Sequence, residues 1–249
     1  MKEGWRFQLM RQTIGALALF LLGAGQLTAA EPPAPLVFLG SQSGKPTLDA
    51  GDGGGNPFAS AFIEVLARPG MTLGDFPRAL SEMTSLKSQS LQAADVPSRA
   101  EPATWRFQPA PASERRVALV LVISNYAASD SAQSLPGARL DADRISGALR
   151  QAGFRTETVV DPDSGELRAA LASFARHSAA ADVALLYTTG HGVEVSGNIH
   201  LLLGNYPVAQ GSAGLARYGV PLSEIASSVK GRRASLVFYG GCRDNPFGN

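Results

Sequence analysis

Two glycine-flanked side chains, those of His191 and Cys242, are the residues of this sequence best suited to covalent chemistry. Each follows an apolar run, residues 183–187 and 234–239, that predicts a buried strand ending in glycines. A cysteine attacks carbonyl carbons as the thiolate, and it needs a base nearby to reach that form. In open parallel α/β sheets, ligands bind in the crevice beyond the carboxyl ends of the strands. The pattern therefore predicts a nucleophile and a base at one edge of a sheet.

The other interpretations of the titratable residues are structural. The chain has one cysteine and three histidines. His191 could be a loop histidine, but its flanking glycines and its spacing from Cys242 favour catalysis. His177, near a predicted helix end, is interpreted as a partner of the helix dipole or a surface residue. His200, in a predicted hairpin, is interpreted as a packing residue. For Asp141, a surface charge on a helix and a functional acid are equally good interpretations.

The composition is that of a globular protein without a polyanion partner. Apolar residues make up 45% of the chain and the formal net charge is +1, both ordinary for a globular domain. No basic cluster with interleaved aromatic residues occurs in the sequence. Nucleic acid is therefore not predicted as a partner.

Residues 1–30 have the build of a secretory signal peptide. Three basic residues precede a short apolar run, and small residues follow it up to Ala30. We expect cleavage after Ala30 and an exported protein, periplasmic or secreted; an uncleaved segment would instead tie the protein to a membrane. Because Cys242 is the only cysteine, no internal disulfide can form in an oxidising compartment.

Beyond residue 30 the apolar pattern alternates between strand and helix periods. Strands are predicted at 35–39, 117–123, 154–160, 183–187 and 234–239, helices at 58–66, 73–83, 138–149, 167–174 and 221–229, and a hairpin at 193–203. Alternation at residues 104–107 also suggests an edge strand. Strands that alternate with helices imply right-handed crossovers. The predicted fold class is α/β, a mainly parallel sheet with helices on both faces.

Two motifs resemble those of the caspase-like cysteine peptidases. Thr189-Gly190-His191-Gly192 is similar to the Ser-Gly-His-Gly of that superfamily. Residues 241–247, Gly-Cys-Arg-Asp-Asn-Pro-Phe, are similar to the Ala-Cys-Arg-Asp-Asn-Pro-Phe of its bacterial members, and residues 134–142 resemble its first helix. The histidine precedes the cysteine by about 50 residues, as in caspases. The resemblance spans residues 115–249.

The resemblance implies a cysteine endopeptidase that hydrolyses a protein or peptide substrate through an acyl-enzyme. Cys242 would be the nucleophile, His191 the general acid and base, and the N–H groups of Gly192 and Cys242 the oxyanion hole. This chemistry requires no metal and no other cofactor. Calcium activation is left open, because the sequence gives no sign of it.

The specificity implied by the resemblance is less direct. In metacaspases, an Asp two residues before the Cys and an Asp in the first-helix motif line a pocket for Arg or Lys. Asp141 matches the second position, but Gly240 stands at the first. A preference for Arg or Lys is therefore a hypothesis. The lost acid also favours an alternative function, that of a catalytically inactive caspase-like domain that binds a partner or regulates a complex.

The order of the segments resembles that of the rearranged metacaspases. Residues 53–62 contain Asn56-Pro57-Phe58-Ala59, which is similar to the Asn-Ser-Pro-Phe-Thr that opens a small-subunit helix in bacterial relatives. We therefore expect one circularly permuted domain, with a small-subunit-like part at 31–108, a linker at 109–114 and a large-subunit-like part at 115–249. Activity without self-cleavage should follow. The alternative is a truncated large-subunit domain behind an unrelated N-terminal region.

Overall fold

The chain folds as strands and helices that alternate along the sequence. The computed structural model describes residues 33–51 and 54–248, so the predicted signal segment lies outside the described residues. The strands are β1 (Leu36–Leu39), β2 (Arg116–Val122), β3 (Arg155–Val160), β4 (Val183–Thr189), β5 (Gly192–Val195), β6 (Asn198–Leu202), β7 (Gly219–Pro221) and β8 (Ala234–Tyr239). The helices are α1 (Pro57–Leu66), α2 (Phe76–Lys87), α3 (Pro136–Gln151), α4 (Ser164–Ala179), α5 (Leu215–Tyr218) and α6 (Leu222–Ser227), with a 3-10 helix at Val208–Gly214.

Five of the strands form the main sheet, in the order β1-β8-β4-β2-β3. Every neighbouring pair in this sheet is parallel. Strands β5, β6 and β7 form a separate antiparallel sheet that includes the predicted hairpin. The predicted α/β class and the mainly parallel sheet are confirmed.

Alternate side chains of the main sheet enter two separate apolar cores. Val120, Leu185 and Phe238 are buried together with α1, α2 and α3 on one face. Leu119 and Leu186 are buried together with α4 and α6 on the other. Since both faces are covered, the central strands are apolar throughout, as is usual in parallel sheets. The predicted helices on both faces are therefore confirmed.

Helices α1 and α4 begin at residues whose side chains cap them. The side chain of Asn56 accepts a hydrogen bond from the N–H of Phe58 at 2.7 Å, and Pro57 stands in the first turn of α1. At α4, Asp163 and Glu166 form a capping box. None of the helices in the described part of the chain combines the length and apolarity needed to cross a membrane.

The N-terminal strand joins the sheet beside the strand that leads to Cys242. β1 pairs in parallel with β8, so that Phe38 lies opposite Phe238. The two rings stack with centroids 4.6 Å apart, and Phe62 of α1 meets Phe238 at 4.7 Å. Residues before the predicted linker thus fill the same core as residues after it.

Residues 104–107 do not form the predicted edge strand. A single isolated bridge joins Thr72 to Arg106. Trp105 and Phe107 are buried while Arg106 is exposed. The N–H of Leu73 donates to the carbonyl of Trp105, and the N–H of Phe107 donates to the carbonyl of Met71. The backbone is therefore paired at this one bridge, but the pairing is too short to form a strand.

Candidate active site

The turns that follow β4 and β8 touch each other at one edge of the main sheet. The strands are neighbours, with Thr188 paired to Tyr239. A side chain at Gly192 would overlap the Tyr239 hydroxyl and would lie 2.7 Å from the carbonyl oxygen of Cys242. A residue without Cβ is needed for this approach. The structure thus brings the predicted turns of His191 and Cys242 to the same edge.

The imidazole of His191 is oriented by two neighbours. Its Nε2 lies 2.7 Å from the carbonyl oxygen of Gln133, and its ring meets that of Tyr126 edge to face at 4.5 Å. The Tyr126 hydroxyl accepts a hydrogen bond from the N–H of His191 and donates one to the carbonyl of Leu202. Burial raises the pKa of Tyr126, which keeps this hydroxyl a donor. Because a carbonyl oxygen only accepts, Nε2 carries the proton, and Nδ1 is the basic nitrogen of the neutral ring.

Sequence analysis does not identify Tyr126 or Gln133 as site residues. A signal exists for Tyr126, since it comes shortly after β2, the other neighbour of β4. Residues just past the carboxyl ends of adjacent parallel strands lie at the same edge. Gln133 belongs to a polar loop without a distinguishing pattern.

The sulfur of Cys242 is hydrogen bonded to Thr47, a residue of the loop after β1. The N–H of Thr47 lies 3.2 Å from Sγ and its hydroxyl oxygen 3.4 Å from Sγ. The Thr47 carbonyl oxygen is 3.8 Å from the same atom. The cysteine is half-buried. Sequence analysis does not identify Thr47, although the pairing of β1 with β8 places its loop beside the cysteine.

Arg243 ties the cysteine turn to two other parts of the chain. Its Nε donates to Glu194 at 2.8 Å on the hairpin that follows His191. Its NH1 group donates to Asp95 at 2.7 Å and to the carbonyl of Ser41 at 2.9 Å. The turn is therefore held from both the histidine side and the N-terminal side.

The predicted oxyanion-hole donors are the amides of Gly192 and Cys242. Gly192 lies opposite Leu201 in the hairpin. The N–H of Leu202 donates to the carbonyl of His191 at 2.8 Å. This arrangement marks Gly192 and Leu201 as a non-hydrogen-bonded pair, whose N–H groups point away from the partner strand. The Gly192 amide therefore points out of the hairpin ladder.

Asp141, the predicted substrate-binding acid on α3, is fully buried. Its carboxylate accepts a hydrogen bond from the N–H of Asn56 at 2.9 Å and pairs with Arg144 at 2.9 Å. A side chain at Gly55 would overlap this carboxylate. Burial raises the pKa of Asp141 to about 7, against the lowering effects of Asn56 and Arg144. The carboxylate is thus covered by the segment before α1 and already paired with a cation.

At Gly240 the space for a carboxylate is filled by other side chains. A Cβ there would lie 3.0 Å from the hydroxyl oxygen of Tyr187 and 3.1 Å from that of Thr189. The Tyr187 hydroxyl is buried and has no hydrogen-bond partner among the described residues. These contacts give a physical reason for the absence of an acidic side chain at position 240.

The other candidate groups lie elsewhere. His177 is exposed in the last turn of α4. His200 lines a groove of about 660 Å³ between the antiparallel sheet and α6, and neither His191 nor Cys242 lines it. Within the described ranges, no group of three or more His, Cys, Asp or Glu side chains is arranged to hold a metal ion.

Comparison with known families agrees with the geometry. A family model for the caspase domain matches residues 115–247, which is more than half of the chain. A search of curated proteins found no match. The matched segment contains β2, β4 and β8 with the turns of His191 and Cys242. The chain belongs to the caspase domain family of cysteine peptidases.

Proposed function

We propose that this protein is a cysteine endopeptidase in which Cys242 attacks a peptide carbonyl and His191 moves the protons. The observation that carries the proposal is the contact between two turns. Gly192 approaches the backbone of Cys242 so closely that a side chain there would meet the Cys242 carbonyl oxygen at 2.7 Å. Hydrolysis of a peptide bond by a cysteine requires the nucleophile and the base to lie close together. The contact between the two turns supports such an arrangement of Cys242 and His191.

The proposed reaction follows from the orientation of the imidazole. Nε2–H of His191 donates to Gln133, which leaves Nδ1 to accept the proton from the Cys242 sulfur. The thiolate adds to the carbonyl carbon, and the oxyanion accepts hydrogen bonds from the amides of Gly192 and Cys242. A single such donor contributes about 3 kcal/mol to transition-state stabilisation. His191 then protonates the leaving amine, and water hydrolyses the acyl-enzyme.

Labelling with an electrophilic peptide tests the dyad. We expect the warhead to attach to Cys242, which mass spectrometry can locate because the chain has one cysteine. Loss of the general base in His191→Ala should slow labelling by a factor on the order of 10²–10⁴. His177→Ala is the matched control, since His177 is exposed in the last turn of α4, and it should label like the wild type. Equal labelling of His191→Ala and wild type would reject the dyad.

The second candidate is an inactive caspase-like domain that binds a partner or regulates a complex. The observations that favour it are the filled space at Gly240 and the pairing of Asp141 with Arg144. This candidate predicts a folded protein that hydrolyses no peptide and whose cysteine reacts no faster than a free thiol. The same labelling series separates the two functions.

A preference for Arg or Lys at the cleavage site stays a prediction. A substrate cation that reached Asp141 would have to displace Arg144, because the carboxylate is already paired and hydrogen bonded to Asn56. Hydrolysis rates for peptides that end in Arg, Asp or an apolar residue test the preference. Absence of cleavage after Arg would reject a basic-residue pocket.

We also propose that the domain is circularly permuted, with boundaries at 31–108, 109–114 and 115–249. Two observations support it: β1 extends the sheet beside β8, and the backbone of Arg243 is hydrogen bonded to that of Gly44 and of Lys45. A chain that joins residue 248 to residue 33 by a flexible linker and opens at residues 109–114 should therefore fold, and its urea unfolding should be as cooperative as that of the wild type measured beside it. A molten or insoluble product would contradict the permutation.

Export, a bacterial type, independence from self-cleavage and independence from cofactors also stay proposals. Sequencing the N-terminus of protein from the periplasm or the medium tests cleavage after Ala30. Activity of intact chains, measured with and without calcium and a chelator, tests independence from self-cleavage and independence from cofactors. The substrates implied by a peptidase domain are proteins or peptides.

A further inference from the structure

We infer that Thr47 is a further catalytic residue, whose N–H and hydroxyl groups donate hydrogen bonds to the sulfur of Cys242 and favour its thiolate. The inference deepens the proposed peptidase function and rests on it. Thr47 lies 195 positions from Cys242 and outside the segment that matches the caspase domain. It touches the atom that would carry out the attack.

The backbone on the N-terminal side of Thr47 is paired with the cysteine turn. The N–H of Gly44 donates to the carbonyl of Arg243 at 3.1 Å, and the N–H of Arg243 donates to the carbonyl of Lys45 at 3.0 Å. The Ser41 hydroxyl donates to the same Lys45 carbonyl. These two backbone hydrogen bonds fix the distance between the loop and the turn. The N–H of Thr47 is therefore held close to the sulfur by the backbone alone.

The C-terminal side of Thr47 is anchored independently. The N–H of Leu48 donates to the side-chain oxygen of Gln92 at 3.0 Å. The carboxylate of Asp49 accepts hydrogen bonds from the N–H groups of Gly137 and Ala138 at the start of α3. Thr47 is therefore held from both directions, and its donors are in place before any substrate binds.

Thr47 presents two closer donors and one more distant acceptor to the sulfur, since its carbonyl oxygen lies 3.8 Å from Sγ and can accept a hydrogen bond only from the thiol form. The two closer contacts favour the thiolate. A neutral thiol is a weak acceptor, whereas an anionic sulfur accepts N–H and O–H hydrogen bonds strongly. At 3.2 Å and 3.4 Å both contacts are short for sulfur. Hydrogen bonds to the charged form of a group favour that form. Thr47 thus shares with His191 the task of producing the nucleophile: the imidazole takes the proton, and Thr47 holds the charge that remains.

The pH dependence of alkylation measures this effect at one atom. Iodoacetamide reacts with the thiolate, and the single cysteine makes the rate specific to Cys242. Rates are measured from about pH 5 to about pH 10, a range that spans the ordinary thiol pKa of about 8.5. Thr47→Val removes the hydroxyl but keeps the shape and the N–H. Thr47→Ser restores the hydroxyl, and Thr47→Ala removes it with less bulk.

We expect Thr47→Val and Thr47→Ala to move the midpoint of the profile to higher pH and to slow alkylation near neutral pH by about tenfold, the effect of one hydrogen bond to a charged group. Thr47→Ser should keep the wild-type midpoint. The ultraviolet absorbance of the thiolate should shift in the same way, and kcat/KM for a peptide substrate should fall in proportion. A cooperative thermal unfolding curve shows that a variant is folded, and a folded Val or Ala variant is enough for the comparison.

Two results would overturn the inference. An unchanged midpoint in a folded Thr47→Val or Thr47→Ala chain would mean that the contacts do not stabilise the anion. Faster alkylation at every pH would mean that Thr47 only shields the sulfur. Alkylation does not require peptide hydrolysis, so the two proposals can fail separately. If the Thr47 variants shift the midpoint but the wild type cleaves no peptide, the role of Thr47 stands and the proposed peptidase function is rejected.

Discussion

The ion pair between Arg243 and Glu194 offers a sharp test of how the cysteine turn is held. The two side chains are 8% and 11% exposed and their closest atoms are 2.8 Å apart. Removing one partner of such a buried pair costs about 3–5 kcal/mol, because the other charge is left uncompensated. The Ser41 carbonyl also loses a donor, while the Asp95 carboxylate is half exposed and adds on the order of 0–1 kcal/mol. We therefore expect Arg243→Met to lower the free energy of unfolding by about 4 kcal/mol.

A double-mutant cycle isolates the pair within this loss. Glu194→Gln keeps the shape of the side chain but removes its charge, so the double variant leaves no uncompensated carboxylate at position 194. The two changes should therefore be non-additive, with a coupling of about 2 kcal/mol. Urea unfolding of the four proteins, followed by tryptophan fluorescence, measures it.

The control and the refuting result are equally direct. Arg78→Met breaks a surface pair with Glu82 whose side chains are 71% and 64% exposed, and it should cost less than about 0.5 kcal/mol. A loss below about 1 kcal/mol for Arg243→Met, or additivity within about 0.5 kcal/mol, would refute the view that the pair holds the turn.

Three further predictions concern the site and its core. Gly192→Ala should destabilise the protein, because the new Cβ would overlap the Tyr239 hydroxyl, and Tyr239→Phe in the same chain should recover part of the lost melting temperature; no recovery would exclude this overlap as the cause. Burial raises the pKa of Asp141 from 3.8 to about 7, so its contribution to stability is present below about pH 4 and is lost as the pH rises to about 7. The unfolding free energy of the wild type should therefore fall by up to about 4 kcal/mol over this range, whereas that of Asp141→Asn should not. Urea unfolding at several pH values measures both, and the same pH dependence in the two proteins would contradict this prediction. Phe238→Ala should cost about 3–5 kcal/mol in urea unfolding, since the ring is fully buried and stacked on Phe38; a loss under about 1 kcal/mol would be inconsistent with that packing.

The strands of the main sheet could be predicted because buried strands consist mainly of apolar residues. Residues 183–187 and 234–239 are apolar throughout, as strands covered on both faces must be. At residues 104–107 the alternation marks which side chains are buried, but it does not fix the length of the backbone pairing, which stops at one bridge to Thr72. The order of the strands could not be predicted from local patterns, since nothing in residues 35–39 or 234–239 indicates that these two segments pair.

The meeting of the His191 and Cys242 turns at one edge of the sheet could be predicted, but not the groups that contact these two side chains. His191 and Cys242 stand out by their types and by their glycines, which are local features. Tyr126, Gln133 and Thr47 reach the site because their loops meet at one edge of the sheet, and that meeting depends on the tertiary fold. Their own sequence neighbourhoods, rich in small and polar residues, give no comparable signal.

The pairing of β1 with β8 has a consequence for biosynthesis. The loop that carries Thr47 is made 195 residues before Cys242. At about 5–20 residues per second, the early strand waits roughly 10–40 s for the partner that completes its place in the sheet. During that interval a nascent chain exposes an unpaired apolar edge that chaperones can hold. During the same interval the sulfur of Cys242 and its partner Thr47 are not yet together, so the proposed site cannot assemble before the last strand is made.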